Sequence, residues 1–117
     1  MSSSVLGLSI DCGDAATLAQ FWADVLGSSV SPGPTPEFAA IDAGGGAPRL
    51  AFHQVPDAKT VKNRLHFDLI PDDRDAEVAR LEQLGATRVD IGQTGDESWI
   101  VLADPEGNEL CVLRPRD

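Results

Sequence analysis

Two short segments of the chain carry the same alternation of apolar and polar residues. Leu8-Ser9-Ile10-Asp11 stands near the start, and Leu65-His66-Phe67-Asp68 follows 57 residues later. Successive side chains of a strand point to opposite faces, so each segment predicts a short strand with Leu and Ile or Phe on one face. The polar residues share the other face. The repeat indicates that the chain consists of two related halves.

A helix with one apolar face is predicted after each of these strands. In the first half Asp14 is the predicted N-cap, and Gly27 ends the helix. In the second half Asp72 or Asp73 caps a helix that Gly85 ends. The apolar positions at helical spacing are Leu18, Phe21, Trp22, Val25 and Leu26 in the first helix and Val78, Leu81 and Leu84 in the second.

Three strand-like stretches follow each helix, separated by turns rich in Gly and Pro. They are predicted at residues 28–31, 38–42 and 49–55, and again at residues 88–93, 98–103 and 109–114. The pattern therefore predicts an α+β fold in which a βαβββ unit occurs twice. We expect one domain over residues 1–117, with units at about 5–55 and 64–114.

Charge and composition restrict the partners. Asp and Glu number 19 against 9 Lys and Arg, which gives a net charge of −10. Such a surface repels phosphate backbones and anionic lipids, so neither nucleic acid nor a membrane is expected as a partner. The start of the chain lacks the features of a signal peptide, which predicts a cytoplasmic protein with Cys12 and Cys111 as free thiols. The Arg, Ala, Gly and Asp content is typical of a high-GC bacterial source.

The end of the first predicted helix and the last turn carry a family resemblance. The segments Phe21-Trp22-Ala23-Asp24-Val25-Leu26-Gly27 and Asp104-Pro105-Glu106-Gly107-Asn108 are similar to those of the vicinal oxygen chelate superfamily. That superfamily contains glyoxalases, bleomycin resistance proteins and extradiol dioxygenases. Within it the chain most resembles short glyoxalase-like domain proteins. The resemblance implies a curved mixed sheet with the helices on its convex face, a concave cup for a small organic ligand, and a homodimer.

The same resemblance implies where a metal would be bound. Enzymes of the superfamily hold a divalent metal with residues from the first and last strand of each unit, which in the second unit correspond to His66 and Cys111. Glu109, on the same face as Cys111, is a candidate for the missing carboxylate. One imidazole and one thiolate supply only half of a tetrahedral site.

The first unit offers poorer ligands at the matching positions. The counterpart of His66 is Ser9, or Gly7 if the strand is gapped by two residues. The counterpart of Cys111 is Ala51 or Phe52, with His53 one step away. His53 becomes a third ligand only if this register is wrong. The sequence therefore predicts no metal site of the superfamily type and no other cofactor, with a divalent metal as the alternative.

Polar side chains still share the face that the resemblance assigns to the cup. His66 and Asp68 lie two residues apart on one strand face, where a carboxylate favours proton transfer by the imidazole. A histidine satisfied within the sheet is the structural alternative. Trp99 is either a flat platform for an aromatic or cationic ligand or a core residue. His66 is the predicted catalytic residue, and the predicted ligand-binding residues are Ser9, Asp11, His66, Asp68, Trp99, Glu109 and Cys111.

Three functions remain compatible with these features. The leading hypothesis is a small-molecule-binding protein without the usual metal site and with acid/base chemistry at His66. The second is a metal-dependent lyase, isomerase or dioxygenase. The third is an interaction module whose cup is vestigial. The fold alone does not choose among them, so the sequence leaves open whether the protein is an enzyme.

Overall fold

The computed structural model describes residues 2–89 and 98–115. The chain forms two compact units, the first ending at Ala58 and the second beginning at Lys59. Each unit contains one helix and one small mixed sheet, so the α+β fold class is confirmed. The elements are β1 (Gly7–Cys12), α1 (Ala15–Leu26), β2 (Phe38–Ile41), β3 (Arg49–Gln54), β4 (Asp68–Leu69), α2 (Arg74–Leu84), β5 (Thr87–Arg88), β6 (Trp99–Ala103) and β7 (Glu109–Leu113).

Both helices begin and end where the sequence signals predict. The Asp14 carboxylate accepts a hydrogen bond from the Thr17 N–H at 3.2 Å, which satisfies one free donor of the first turn of α1. Gly27 ends α1 with φ of 65°, a left-handed conformation that favours glycine. Asp73, rather than Asp72, caps α2, and Gly85 ends it. Neither helix is long and apolar enough to cross a membrane.

The first unit packs α1 on a three-stranded sheet. The strand order is β1-β3-β2, with β1 parallel and β2 antiparallel to β3. Leu50 and Phe52 of β3 are buried, as are Leu18, Phe21 and Trp22 of α1. Leu50 and Phe52 therefore share one face of β3, and Ala51 and His53 lie on the opposite face of the sheet.

The predicted strand at residues 28–31 is wrong. Within this stretch, only the Ser31 N–H joins the sheet region, donating to the Ala40 carbonyl at 2.8 Å. Pro32 has no N–H to continue a ladder, and Gly33 turns the chain with φ of 85°. The chain therefore leaves the sheet after a single hydrogen bond.

The second unit packs α2 on a sheet with the order β4-β7-β6-β5. Leu110 and Val112 of β7 are fully buried, as are Val78 and Leu81 of α2. The strand predicted at 88–93 begins one residue earlier, at Thr87, and residues 90–93 lie outside the described part of the chain. The strand predicted from Leu65 begins only at Asp68.

Substitution of Gly7 by Ala tests the close approach of β1 and β3. Gly7 lies opposite Arg49 in the parallel ladder, and a Cβ atom on it would overlap the Arg49 carbonyl oxygen. Because that oxygen belongs to the backbone, the strands must separate. We expect a loss of about 1–3 kcal/mol in the free energy of unfolding, measured by urea denaturation. Gly44→Ala is the control, since a Cβ there meets no atom within 4 Å; equal effects of the two substitutions would contradict the packing argument.

Candidate functional site

Three of the predicted site residues meet on one face of the second unit's sheet. Asp68 of β4 pairs directly with Cys111 of β7 in a parallel register, and His66 precedes Asp68 by two residues. Leu110 and Val112, on either side of Cys111, are buried, so Cys111 lies on the face away from α2. One ligand atom each of His66, Asp68 and Cys111 lie within 4.8 Å of one another.

His66 and Asp68 are in direct contact. The His66 Nδ1 atom lies 2.9 Å from an Asp68 carboxylate oxygen, with 37% and 52% of the two side chains exposed. An ionised carboxylate only accepts hydrogen bonds, so the hydrogen of this contact belongs to Nδ1. In the neutral imidazole the lone pair is then on Nε2, which makes that atom the proton acceptor of the pair.

The Cys111 thiol is a weak acid in this position. Partial burial raises its pKa, and the neighbouring Asp68 charge and a hydrogen bond to that carboxylate raise it further. The ammonium group of Lys62 opposes this shift without reversing it. A thiol with a raised pKa stays protonated near neutral pH and is a poor nucleophile. Cys111 therefore serves as a hydrogen-bond partner of Asp68.

Glu109 lies on the same strand as Cys111 but has partners of its own. Its carboxylate contacts the Lys59 ammonium at 3.0 and 3.1 Å and accepts a hydrogen bond from the Asn63 N–H at 3.1 Å. We call Lys59, Asn63 and Glu109 the Glu109 clamp. Burial acts to raise the pKa of Glu109, but the Asn63 and Lys59 hydrogen bonds outweigh it, so that the pKa is lowered. The Glu109 carboxylate is thus bound by its own partners and is not one of the converging donors of His66, Asp68 and Cys111.

Asn63 is a part of this region that the sequence analysis missed. Its side-chain amide accepts a hydrogen bond from the Glu109 N–H at 2.6 Å and donates to the Glu109 carbonyl at 3.2 Å and to the Leu65 carbonyl. These contacts replace backbone pairing of Leu65 with β7, which is why β4 begins only at Asp68. A lone Asn in a polar stretch between two units carries no motif, so only the three-dimensional structure reveals it.

The first unit arranges Ser9 and Asp11 in the same way on its own sheet. Both are exposed residues of β1, and they lie opposite Ala51 and His53 of β3. Leu8–Asp11 and Leu65–Asp68 are the repeated segments, so Asp11 corresponds to Asp68. The residue that pairs with Asp11 in the first unit therefore corresponds to the residue that pairs with Asp68 in the second.

The register of the first unit corrects the sequence alignment. The counterpart of Cys111 is His53, not Ala51 or Phe52. His53 is exposed on the face that carries Asp11, and its ring packs edge-on against Phe38 with centroids 5.1 Å apart. The first unit therefore holds Ser9, Asp11 and His53 where the second holds His66, Asp68 and Cys111. A role of Ser9 or Asp11 in ligand binding stays a prediction.

Trp99 is not a core residue. It is 40% exposed, whereas Trp22 is buried at 2%. Trp99 lies two residues from Val101, which pairs directly with Cys111, so both β6 residues share the face of the three-residue group. This position is compatible with the predicted role of a ligand platform, which stays a prediction.

Fold and family agree on the class of protein. A two-unit α+β fold of this kind is that of the glyoxalase, bleomycin resistance and dioxygenase proteins, the vicinal oxygen chelate superfamily. The family model of the glyoxalase-like domain matches residues 7–113. The chain therefore belongs to the glyoxalase-like domain family. No curated protein matches it.

Solved structures with this fold differ widely from the chain in sequence. A glyoxalase/bleomycin resistance/dioxygenase family enzyme from Burkholderia phytofirmans has a TM-score of 0.74 at 19% identity, covering 97% of this chain and 100% of that one. A lactoylglutathione lyase from Agrobacterium tumefaciens has a TM-score of 0.61 at 17% identity, covering 97% and 95%. A bleomycin-binding protein from Streptomyces verticillus, complexed with copper(II)-bleomycin, has a TM-score of 0.60 at 19% identity, covering 98% and 100%. At these identities the likeness establishes the fold.

The Glu109 clamp predicts a pH-dependent contribution to stability. The pKa of folded Glu109 lies below its ordinary value of 4.5, so the carboxylate stabilises the fold above that value. The contribution is lost as the pH falls through the folded pKa. We expect Glu109→Gln to lower the free energy of unfolding by about 1–2 kcal/mol near neutral pH, because Lys59 loses its charged partner.

Urea denaturation across acid and neutral pH measures this effect. The difference between wild type and Glu109→Gln should shrink as the solution becomes more acidic than the ordinary pKa of a carboxyl group. Glu37→Gln, at an exposed position of the first unit, is the control and should show little difference at any pH. If Glu109→Gln lowers the free energy of unfolding by the same amount at every pH, the charge of Glu109 does not contribute to stability.

Proposed function

We propose that this protein binds a small organic ligand on the face of the second unit that carries His66, and that His66 accepts a proton from that ligand. The proposal includes no metal. The single observation that carries it is the 2.9 Å contact between His66 Nδ1 and Asp68. This contact orients the imidazole and assigns the lone pair to Nε2.

The interactions within the group support a site that works without a metal. Asp68 accepts hydrogen bonds from the His66 Nδ1–H and the Cys111 thiol, so these polar atoms satisfy one another. The first unit has Ser9 at the position of His66, and a serine hydroxyl is a poor ligand for a divalent metal. Ser9 is therefore a departure from the ligand set that the superfamily usually has at this position.

The pair supports one simple reaction. His66 Nε2 takes a proton from an acidic C–H bond next to a carbonyl group, and the bonding electrons remain on the ligand as an enolate. Asp68 stabilises the imidazolium that forms, because an opposite charge within hydrogen-bonding distance favours it. Return of the proton to the same carbon or a neighbouring atom regenerates neutral His66. A positioned general base of this kind contributes about 10²–10⁴-fold to a rate.

The family neighbours are compatible with both parts of this proposal. One is described as a bleomycin-binding protein and another as a lactoylglutathione lyase. The fold thus serves ligand binding in one and catalysis in the other. The homodimer and the cytoplasmic location expected from the sequence stay predictions.

Hydrogen exchange of small carbon acids tests the proton transfer. A panel of small ketones and α-keto acids is incubated with the metal-free protein in D₂O, and loss of the C–H signal is followed by proton NMR. We expect exchange of at least one compound to slow by about 100-fold or more in His66→Ala, because the base is removed. Asp68→Asn should slow it less, since the base remains but loses its charged partner.

His53→Ala is the matched control, because it removes the other imidazole of the chain and lies in the first unit. It should leave the exchange rate unchanged. If no compound of the panel exchanges faster with wild type than with His66→Ala, the acid/base part of the proposal is wrong.

A metal-dependent enzyme is the second candidate, and the converging donors favour it. An imidazole nitrogen, a carboxylate oxygen and a sulfur lie within 4.8 Å of one another. Bond lengths of about 2.0–2.3 Å place tetrahedral zinc ligands roughly 3.3–3.7 Å apart, so a small adjustment suffices for a three-ligand site with one open position. His66, Asp68 and Cys111 would hold the ion. A metal there would supply Lewis acidity toward a ligand carbonyl or a bound water.

Thermal melting separates the two candidates. Wild type and His66→Ala are melted with Zn, Ni, Co, Mn or Fe(II), each with and without chelator. The leading proposal predicts no chelator-reversible shift of the melting temperature in either protein, because the donors remain bound to one another. A reversible shift in wild type that disappears in His66→Ala would make the metal-dependent candidate the better one.

A further inference from the structure

We propose that Asn63 is a positioning residue for His66, because its side-chain amide is inserted between the Leu65 backbone and β7. The inference rests on the function proposed above for His66 and Asp68. It concerns how the imidazole is held in place, and Asn63 itself is not assigned a contact with the ligand.

The ladder between β4 and β7 shows what Asn63 replaces. Asp68 pairs with Cys111, and the Cys111 N–H donates to the Phe67 carbonyl at 2.9 Å. Two residues back, the same parallel register would join the Glu109 N–H to the Leu65 carbonyl. The Glu109 N–H instead donates to Asn63 Oδ1 at 2.6 Å. The regular ladder is therefore interrupted by one side-chain amide.

The inserted amide still connects the two strands. Asn63 Nδ2 donates both to the Glu109 carbonyl at 3.2 Å and to the Leu65 carbonyl. Leu65 is thus fixed to β7 through Asn63, and Phe67 is fixed to β7 directly. His66 lies between these two residues, so its backbone is held on both sides.

This support matters because the His66–Asp68 pair is open to solvent. With 37% and 52% of the side chains exposed, a contact of this kind contributes little by itself and loses side-chain entropy when it forms. A backbone fixed on both sides of His66 reduces the number of conformations that compete with the contact. The position of the imidazole then depends on Asn63.

The Glu109 clamp in turn fixes Asn63. The Asn63 N–H donates to the Glu109 carboxylate at 3.1 Å, and the same carboxylate is held by Lys59. The main chain and the side chain of Asn63 therefore both bind Glu109. Only Asn combines an acceptor and two donors in a planar group of this length; Asp lacks the donors and Gln is one methylene longer.

The experiment determines which imidazole nitrogen of His66 carries the hydrogen, and it requires no ligand. The ¹⁵N shifts of the imidazole nitrogens distinguish the Nδ1–H from the Nε2–H form at a pH where the ring is neutral. The chain has two histidines, so a His53→Gln variant assigns the signals. Wild type should show mainly the Nδ1–H form, because Asp68 accepts that hydrogen. In Asn63→Ala the Nδ1–H population should fall several-fold.

Asn108→Ala is the matched control. It also removes a side-chain amide beside Glu109, but one that donates to Asp104 at 3.0 and 3.2 Å in the turn before β7. It should destabilise the unit and keep the Nδ1–H form. Equal tautomer populations in folded Asn63→Ala and wild type would overturn the inference. A wild type without the Nδ1–H preference would instead refute the proposed His66–Asp68 pair.

Two further measurements cover the case in which Asn63→Ala does not fold. Asn63→Asp has the same size and keeps the acceptor for the Glu109 N–H but not the donor to Leu65, so it should show a partial loss of the Nδ1–H form. A wild-type-like tautomer in folded Asn63→Asp would contradict the inserted amide as the cause. In wild type itself, a scalar coupling between the Glu109 amide nitrogen and the Asn63 side-chain carbonyl carbon should be detectable, and its absence would overturn the inference.

Discussion

The parallel pairing of β4 with β7 is the constraint on which the candidate site depends. It places Asp68 directly opposite Cys111, and the contact of His66 Nδ1 with the Asp68 carboxylate at 2.9 Å then brings His66 to the same group. A shift of the register by one residue would turn Cys111 toward α2 and bring Leu110 or Val112 to the site face. The buried contacts of these two residues oppose such a shift, because both are fully buried in the core of the unit. The packing of the core thus fixes the chemistry of the opposite face.

The two units have the same parallel strand pairing but carry different side chains at the paired positions. Asp11 lies opposite His53 in the first unit just as Asp68 lies opposite Cys111 in the second. In the first unit, however, Ser9 has the place of His66, and the His53 ring packs against Phe38. The backbone repeat is therefore retained, and the second unit carries the His66–Asp68 contact. The divergence is possible because Ser9, Asp11, His66 and Asp68 are all exposed, so their replacement does not disturb the buried core.

Local signals in the sequence were sufficient for the ends of the helices, because Asp14, Gly27 and Gly85 act through short-range backbone geometry. The alternation at Leu65–Asp68 predicted too long a strand: of these four residues only Asp68 lies in β4, and Leu65 is 84% exposed. Strand ends and cross-strand register were harder to predict from the sequence, because they depend on contacts between distant segments. Ala51 or Phe52 matches Cys111 by position in the sequence, but the pairing of β1 with β3 puts His53 there. The start of β4 depended on Asn63, whose partner Glu109 is 46 residues away, and no local pattern encodes that contact.

The proposed acid/base chemistry and the alternative of a bound metal make opposite demands on the same three side chains. As a base, His66 needs its Nδ1–H on Asp68 and a free lone pair on Nε2, and Cys111 needs its proton to donate to the carboxylate. As metal ligands, Asp68 and Cys111 must give up these hydrogen bonds, and the thiol must lose its proton. The raised pKa of Cys111 opposes that loss. The proposed acid/base function therefore requires the protonated, mutually hydrogen-bonded arrangement, and the metal-dependent alternative requires that this arrangement be broken.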